Sequence, residues 1–162
     1  QYEKGMEVIT ASILRNSKKS LDPNVKSGNY LNNIMALGEA KKSKADDAVM
    51  VNREGFVTEG TTWNIFMIKN QTVITPPDEA DILQGITRKV LKKICKQNSI
   101  QWQERSFTPD DLKKADEVFA SGSIKEGMAI HSIDGEKIGA GRPGDLTKKL
   151  SNLYHKTHKT SK

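Results

Sequence analysis

Four short stretches of this sequence carry residue types that could do chemistry. Lys26 stands just before a helical pattern that begins at Leu31. An unprotonated lysine amine attacks an aldehyde to give an imine, and partial burial or a neighbouring cation favours the unprotonated form. Glu59 lies in a glycine-bounded bend, Gly55-Phe56-Val57-Thr58-Glu59-Gly60, between strand-like runs. A carboxylate in such a bend can face a ring nitrogen and keep it protonated. Gly85-Ile86-Thr87 opens a second helical pattern. There glycine permits close approach, Thr87 adds a hydroxyl, and the helix N-terminus favours a phosphate. Ser121-Gly122-Ser123 follows another strand and offers further donors. Each feature alone has a plainer reading: a solvated lysine, a turn carboxylate, a helix cap or a loop hydroxyl.

The elements that must position these groups follow from periodicity. Met6 to Leu14 is rich in β-formers and reads as a strand. Leu31 to Lys42 places Leu31, Ile34, Met35 and Leu37 at helical spacing, so an amphipathic helix is expected. Ala48–Val51, Phe56–Val57, Asn64–Ile68 and Thr72–Thr75 read as strands, the last stopped by Pro76-Pro77. A second helix runs from about Ile86 to Lys96 with Val90, Leu91 and Ile94 on one face. Ile100 to Ser106 alternates like an exposed strand, and Thr108-Pro109-Asp110-Asp111 is a capped helix start. Glu117–Ala120 and Met128–Ile133 are strands, Asp134-Gly135 a hairpin turn, and Asp145 to His158 a basic terminal helix. Strands and helices alternate without a strict βαβ period. The expected fold is α+β, a curved mixed β-sheet, barrel-like, with flanking helices.

Length and composition bound the rest. The chain has 162 residues, 35% hydrophobic and 28% charged, which suits one globular domain with a real core. No apolar run approaches the roughly 20 residues of a membrane span. The single cysteine, Cys95, excludes an intrachain disulfide framework and a cysteine-rich zinc site, and fits a reducing, cytoplasmic setting. His131, His155 and His158 read as surface residues, and no metal site is expected. The net charge of +6 concentrates in Lys41, Lys42 and Lys44, in Lys89, Lys92, Lys93 and Lys96, and from Lys148 onward. These are read as solvated helix faces. A nucleic-acid-binding module is the sharper alternative, without the aromatic-studded basic stretch that would support it.

An imine-forming lysine, an acid for a ring nitrogen and a phosphate cradle are the three demands of pyridoxal 5'-phosphate. Their order here resembles a known family. Lys26-Ser27-Gly28-Asn29-Tyr30-Leu31-Asn32-Asn33, with Glu39-Ala40 following, looks like the active-site lysine region of class IV, fold-type IV, pyridoxal-phosphate-dependent aminotransferases. The resemblance continues through Gly55–Gly60, Asn64-Ile65-Phe66, Thr75-Pro76-Pro77, Gly85-Ile86-Thr87-Arg88, Ala115–Phe119, Ser121-Gly122-Ser123 and Ile133-Asp134-Gly135. It is strongest to the branched-chain amino acid aminotransferases. D-amino-acid aminotransferases and aminodeoxychorismate lyases share the framework.

The resemblance implies a role for each matching residue. Lys26 would be the Schiff-base lysine and the proton shuttle at the substrate Cα. Glu59 would pair with the pyridine nitrogen, and Tyr30 would approach the cofactor's phenolic oxygen. Ile86 and Thr87 would form the phosphate-binding helix start, with Ser123 a further phosphate-side hydroxyl. Thr62 and Ile124 would border the substrate. The implied reaction moves an amino group between an amino acid, branched-chain in the nearest match, and a 2-oxo acid.

Residues 1–162 would be the large C-terminal, cofactor-binding domain of a homodimeric enzyme. The chain opens close to a strand signal without a start methionine, as expected of a domain separated from an N-terminal partner. In the family that smaller domain supplies a phosphate-binding arginine and part of the pocket. The chain alone is therefore expected to bind the cofactor poorly or to be inactive.

One stretch departs from the family. Thr62 and Trp63 stand where branched-chain enzymes usually have a small and an acidic residue. Alternation along an extended segment turns Trp63 into the sheet rather than the cleft.

Overall fold

The computed structural model describes residues 5–25, 28–122 and 127–159, with the backbone alone for 158 and 159. In chain order its elements are β1 (Met6–Thr10), α1 (Leu31–Lys42), β2 (Asp47–Val51), β3 (Val57–Gly60), β4 (Asn64–Lys69), β5 (Thr72–Thr75), α2 (Ile86–Gln97), β6 (Gln101–Glu104), α3 (Pro109–Lys113), β7 (Glu117–Ser121), β8 (Met128–Ile133), β9 (Glu136–Lys137) and α4 (Asp145–Lys159). Six strands close a barrel-like ring in the order β3-β2-β1-β8-β7-β4, and the pair Glu59–Asn64 returns β4 to β3. β1 runs parallel to both β2 and β8; the other ring pairs are antiparallel. β5 and β6 extend the sheet from the far end of β4. The fold is the expected α+β one.

Side-chain alternation divides the core. On β4, Ile65 and Met67 point into the ring with Val8, Val49, Val57, Val118 and Ile130, while Phe66 and Ile68 point outward. The outward pair meets Leu91, Ile94 and Cys95 of α2 and Leu146, Leu150 and Tyr154 of α4. Phe66 stacks on Phe119 at 4.8 Å between ring centroids. At α3 the Thr108 hydroxyl accepts from the Asp111 amide, and the Asp111 carboxylate accepts from the Thr108 amide, closing a capping box. Among the described residues no helix is long and apolar enough to cross a membrane.

One helix lies differently from its sequence pattern. The boundaries of α1 are those expected, but the apolar stripe faces outward: Leu31, Ile34 and Met35 are exposed, by 64%, 61% and 51%. The buried face is Asn32, Ala36 and Ala40, packed with Ala11, Ala48 and Met50. Small residues let the helix axis come close to β1 and β2. That approach delivers Asn32 and Asn33 to the end of the barrel, and periodicity carries no information about it.

Candidate active site

The bend between β3 and β4, the end of β7, the start of α2 and residues from the stretches 15–25 and 29–30 meet around a cavity of about 290 Å³. Small-molecule sites begin at roughly this size, about 300 Å³. Glu59, Thr62, Tyr30, Ile86 and Thr87, carried by segments far apart in the chain, all line it.

Glu59 dominates its electrostatics. Its residue is 4% exposed. One carboxylate oxygen accepts from Arg15 Nε at 3.0 Å and pairs with Arg15 Nη2 at 2.8 Å. The other accepts from the Leu83 amide at 3.0 Å. Burial raises the acid from its ordinary 4.5 to about 7, and Arg15 and the Leu83 amide pull against that rise. A carboxyl this close to neutrality responds strongly to a further charge. A cationic ring N–H beside it would hold it as carboxylate.

Arg15 is positioned in turn. Its Nη1 donates to the side-chain oxygen of Asn32 at 3.3 Å. Asn32 Nδ2 donates to the Leu14 carbonyl at 2.8 Å, and Asn33 Nδ2 donates to the Thr61 carbonyl. The first turn of α1 thus ties the Arg15 segment to the β3–β4 bend.

The start of α2 is shaped for an anion. Gly85 caps it in an extended conformation without a side-chain hydrogen bond. The first-turn amides of a helix have no intrahelical partner and attract negative charge. Ile86 is exposed, and Thr87 is buried. The loop leading to this turn is anchored by Arg88, whose guanidinium pairs with Asp78 at 2.7 Å and donates to the Pro76 carbonyl at 3.0 Å. Lys18 holds it from the other side, its amide donating to Asp81 at 2.7 Å and its ammonium to the Asp78 carbonyl at 3.0 Å.

Gly85 cannot be replaced cheaply. A Cβ there would overlap Asn64 Oδ1. Asn64 cannot yield easily, because its amide group already donates to the Leu83 carbonyl at 2.8 Å. Gly85→Ala should therefore cost about 1–3 kcal/mol by overpacking. A thermal melt of the complete protein checks this; an unchanged melting temperature would show the turn to be slack.

The structure brings together Tyr30, Glu59, Thr62, Ile86 and Thr87 of the residues expected from sequence. Lys26, Ser123 and Ile124 lie outside the described residues; Val25 and Asn29 on either side of the first, and Gly122 before the others, line the cavity. Trp63 is 3% exposed and packs in the barrel core, as alternation suggested, but it also contributes to the cavity wall. Sequence reasoning missed Arg15, which nothing in the sequence marks. Asn32 and Asn33 stood in the matched stretch with no role assigned.

Fold and site define an α+β barrel domain with a small-molecule cleft at its rim. The sequence model of the family described as Amino-transferase class IV matches residues 1–133. The chain belongs to the class IV amino-transferase family. It is 41% identical over 152 residues to a putative branched-chain-amino-acid aminotransferase of Methanocaldococcus jannaschii, covering 94% of this chain and 53% of that one. It is 37% identical over 150 residues to D-alanine aminotransferase of Bacillus licheniformis, covering 93% and 51%. Among solved structures, the PLP-form of the branched-chain amino acid aminotransferase from Thermobaculum terrenum superposes with a TM-score of 0.92 at 30% identity, covering 96% and 51%. The chain spans about half the length of the curated relatives it matches.

Proposed function

We propose that this chain is the pyridoxal-phosphate-binding part of an aminotransferase that moves an amino group between a branched-chain amino acid and a 2-oxo acid. The observation that carries the reading is the buried Glu59–Arg15 pair lining the same cavity as the start of α2. A buried acid poised near neutrality and an amide-lined helix start suit the two ends of a phosphorylated pyridine. When bound, that cofactor supplies an electron sink for charge developing at the substrate Cα. The chain's own residues do the rest. Glu59, held rigid by Arg15 and the Leu83 amide, keeps the ring nitrogen protonated. The α2 amides and Thr87 take the phosphate, with Ser123 as a further donor. Lys26 carries the cofactor and moves the proton at the substrate Cα. Tyr30, at the first turn of α1, approaches the phenolic oxygen. Thr62, exposed at the cavity, and Ile124 border the substrate. The working enzyme is a homodimer in the cytoplasm.

The branched-chain reading rests on relatives bearing that name at 31–41% identity. A D-amino-acid reading is favoured by one observation, the 37% identity to a D-alanine aminotransferase. Rates of the full-length protein with L-leucine, L-valine and D-alanine, with 2-oxoglutarate as acceptor, decide between them. We expect both L-substrates to exceed D-alanine at least tenfold. The reverse order would overturn the branched-chain reading and leave the cofactor assignment standing.

A further inference from the structure

The bend from Gly60 to Trp63 joins the cofactor-facing Glu59 to β4 and forms part of the cavity wall. It carries the bulkiest side chain of that wall, Trp63, beside Thr62, which is exposed to the cavity. An indole at this place has two uses. Turned into the cavity it would fill the space a substrate side chain needs; turned into the barrel it leaves that space open.

The structure places it in the barrel and shows what holds it. The ring lies across Gly60 so closely that a Cβ on that glycine would overlap it. The indole Nε1 donates to Asp47 Oδ2 at 2.9 Å. Asp47, at the start of β2, is itself buried, and its Oδ1 accepts from the Thr61 hydroxyl at 2.6 Å and from the Ala48 amide at 2.8 Å. One buried carboxylate therefore grips both Thr61 and Trp63 of the bend. Hydrogen bonds to a carboxylate are roughly twice as strong as neutral ones. Loss of this buried acceptor would weaken what keeps the indole in the barrel, and the ring already borders the cavity.

We infer that Asp47 is a specificity-determining positioning residue: by binding the Trp63 indole and the Thr61 hydroxyl it keeps the indole in the barrel and leaves the cavity beside Thr62 open to a branched side chain. This rests on the aminotransferase reading above. It also accounts for a tryptophan tolerated next to the substrate position.

The test uses the full-length, cofactor-loaded protein and the ratio of kcat/KM for L-leucine to that for L-alanine. Asp47→Ala should lower the ratio at least tenfold, because a released indole excludes the larger side chain first. In a Trp63→Leu background the same change should leave the ratio within about threefold, since no indole remains to move; such non-additivity is the signature of a direct coupling. Equal losses for both substrates, or an undiminished effect in the Trp63→Leu background, would overturn the proposal. Asp47→Leu fills the space and removes both acceptors; should the alanine variant fail to fold, this one must still shift the ratio in the same direction, and an unchanged ratio overturns the proposal. A second readout is independent of turnover. In cofactor-free protein labelled with ¹⁵N-tryptophan, the Trp63 indole proton should exchange slowly with solvent, and at least tenfold faster in Asp47→Leu. Slow exchange in both would show that Asp47 does not hold the ring. Absence of wild-type turnover with slow exchange intact would instead remove the aminotransferase reading, and the selectivity role with it.

Discussion

Lys26→Ala in the complete protein should reduce transamination to the background rate while leaving the fold and the melting profile nearly intact. The expectation comes from the matched stretch Lys26–Asn33 and from the cavity lined by Val25 and Asn29 on either side of that lysine. An activated lysine amine is the nucleophile of this chemistry, and the described residues that line the cavity include no other lysine. Full-length protein should be yellow, and borohydride should bleach it and leave the pyridoxyl mass on the peptide that contains Lys26. Near-normal turnover by Lys26→Ala, or the label on another peptide, would remove Lys26 from the mechanism.

Glu59→Gln should cost about a hundredfold in kcat, or ~3 kcal/mol of transition-state stabilisation. An amide cannot keep the ring nitrogen protonated, so charge developing at the substrate Cα loses its sink. The same substitution has a signature in stability that does not depend on turnover. Burial raises the Glu59 acid to about 7 in the folded chain, above its ordinary 4.5. The folded state then holds this proton more tightly than the unfolded one. Stability from this group is present at and below pH 4.5 and declines as the pH rises through the window up to about 7. In cofactor-stripped protein, the melting temperature should therefore carry a component that falls between about pH 5 and pH 7.5, absent from Glu59→Gln. Identical pH profiles for the two proteins would show that the carboxyl ionises normally, with Arg15 fully compensating its burial.

These two experiments address different links. The first asks whether the chemistry is where the sequence places it; the second asks whether the surroundings of the acid are those of the folded site. Arg15 connects them, because the guanidinium that compensates Glu59 is itself fixed by Asn32, from the first turn of the helix that follows Lys26.

Much of this protein was legible in its sequence. Strand and helix periods, the Asp134-Gly135 turn, and the Thr108 cap with Asp111 are local features, encoded within a few residues of where they act. They located most elements to within a few residues and gave the α+β class. The order of Lys26, Glu59, Gly85-Ile86-Thr87 and Ser121-Gly122-Ser123 sufficed to suggest the cofactor. What no local pattern contained is direction and partnership across distant segments. The apolar stripe of α1 looked like a core face and lies outward, because the small side chains of Ala36 and Ala40 are what lets the helix approach β1 and β2. Arg15 meets Glu59 across 44 residues, and Asp47 meets Trp63 across 16. Those pairings exist because β1, β2 and β3 lie side by side in the sheet and bring distant segments together. There, burial makes each unpaired charge or N–H expensive, and the tertiary structure alone decides which partners satisfy them.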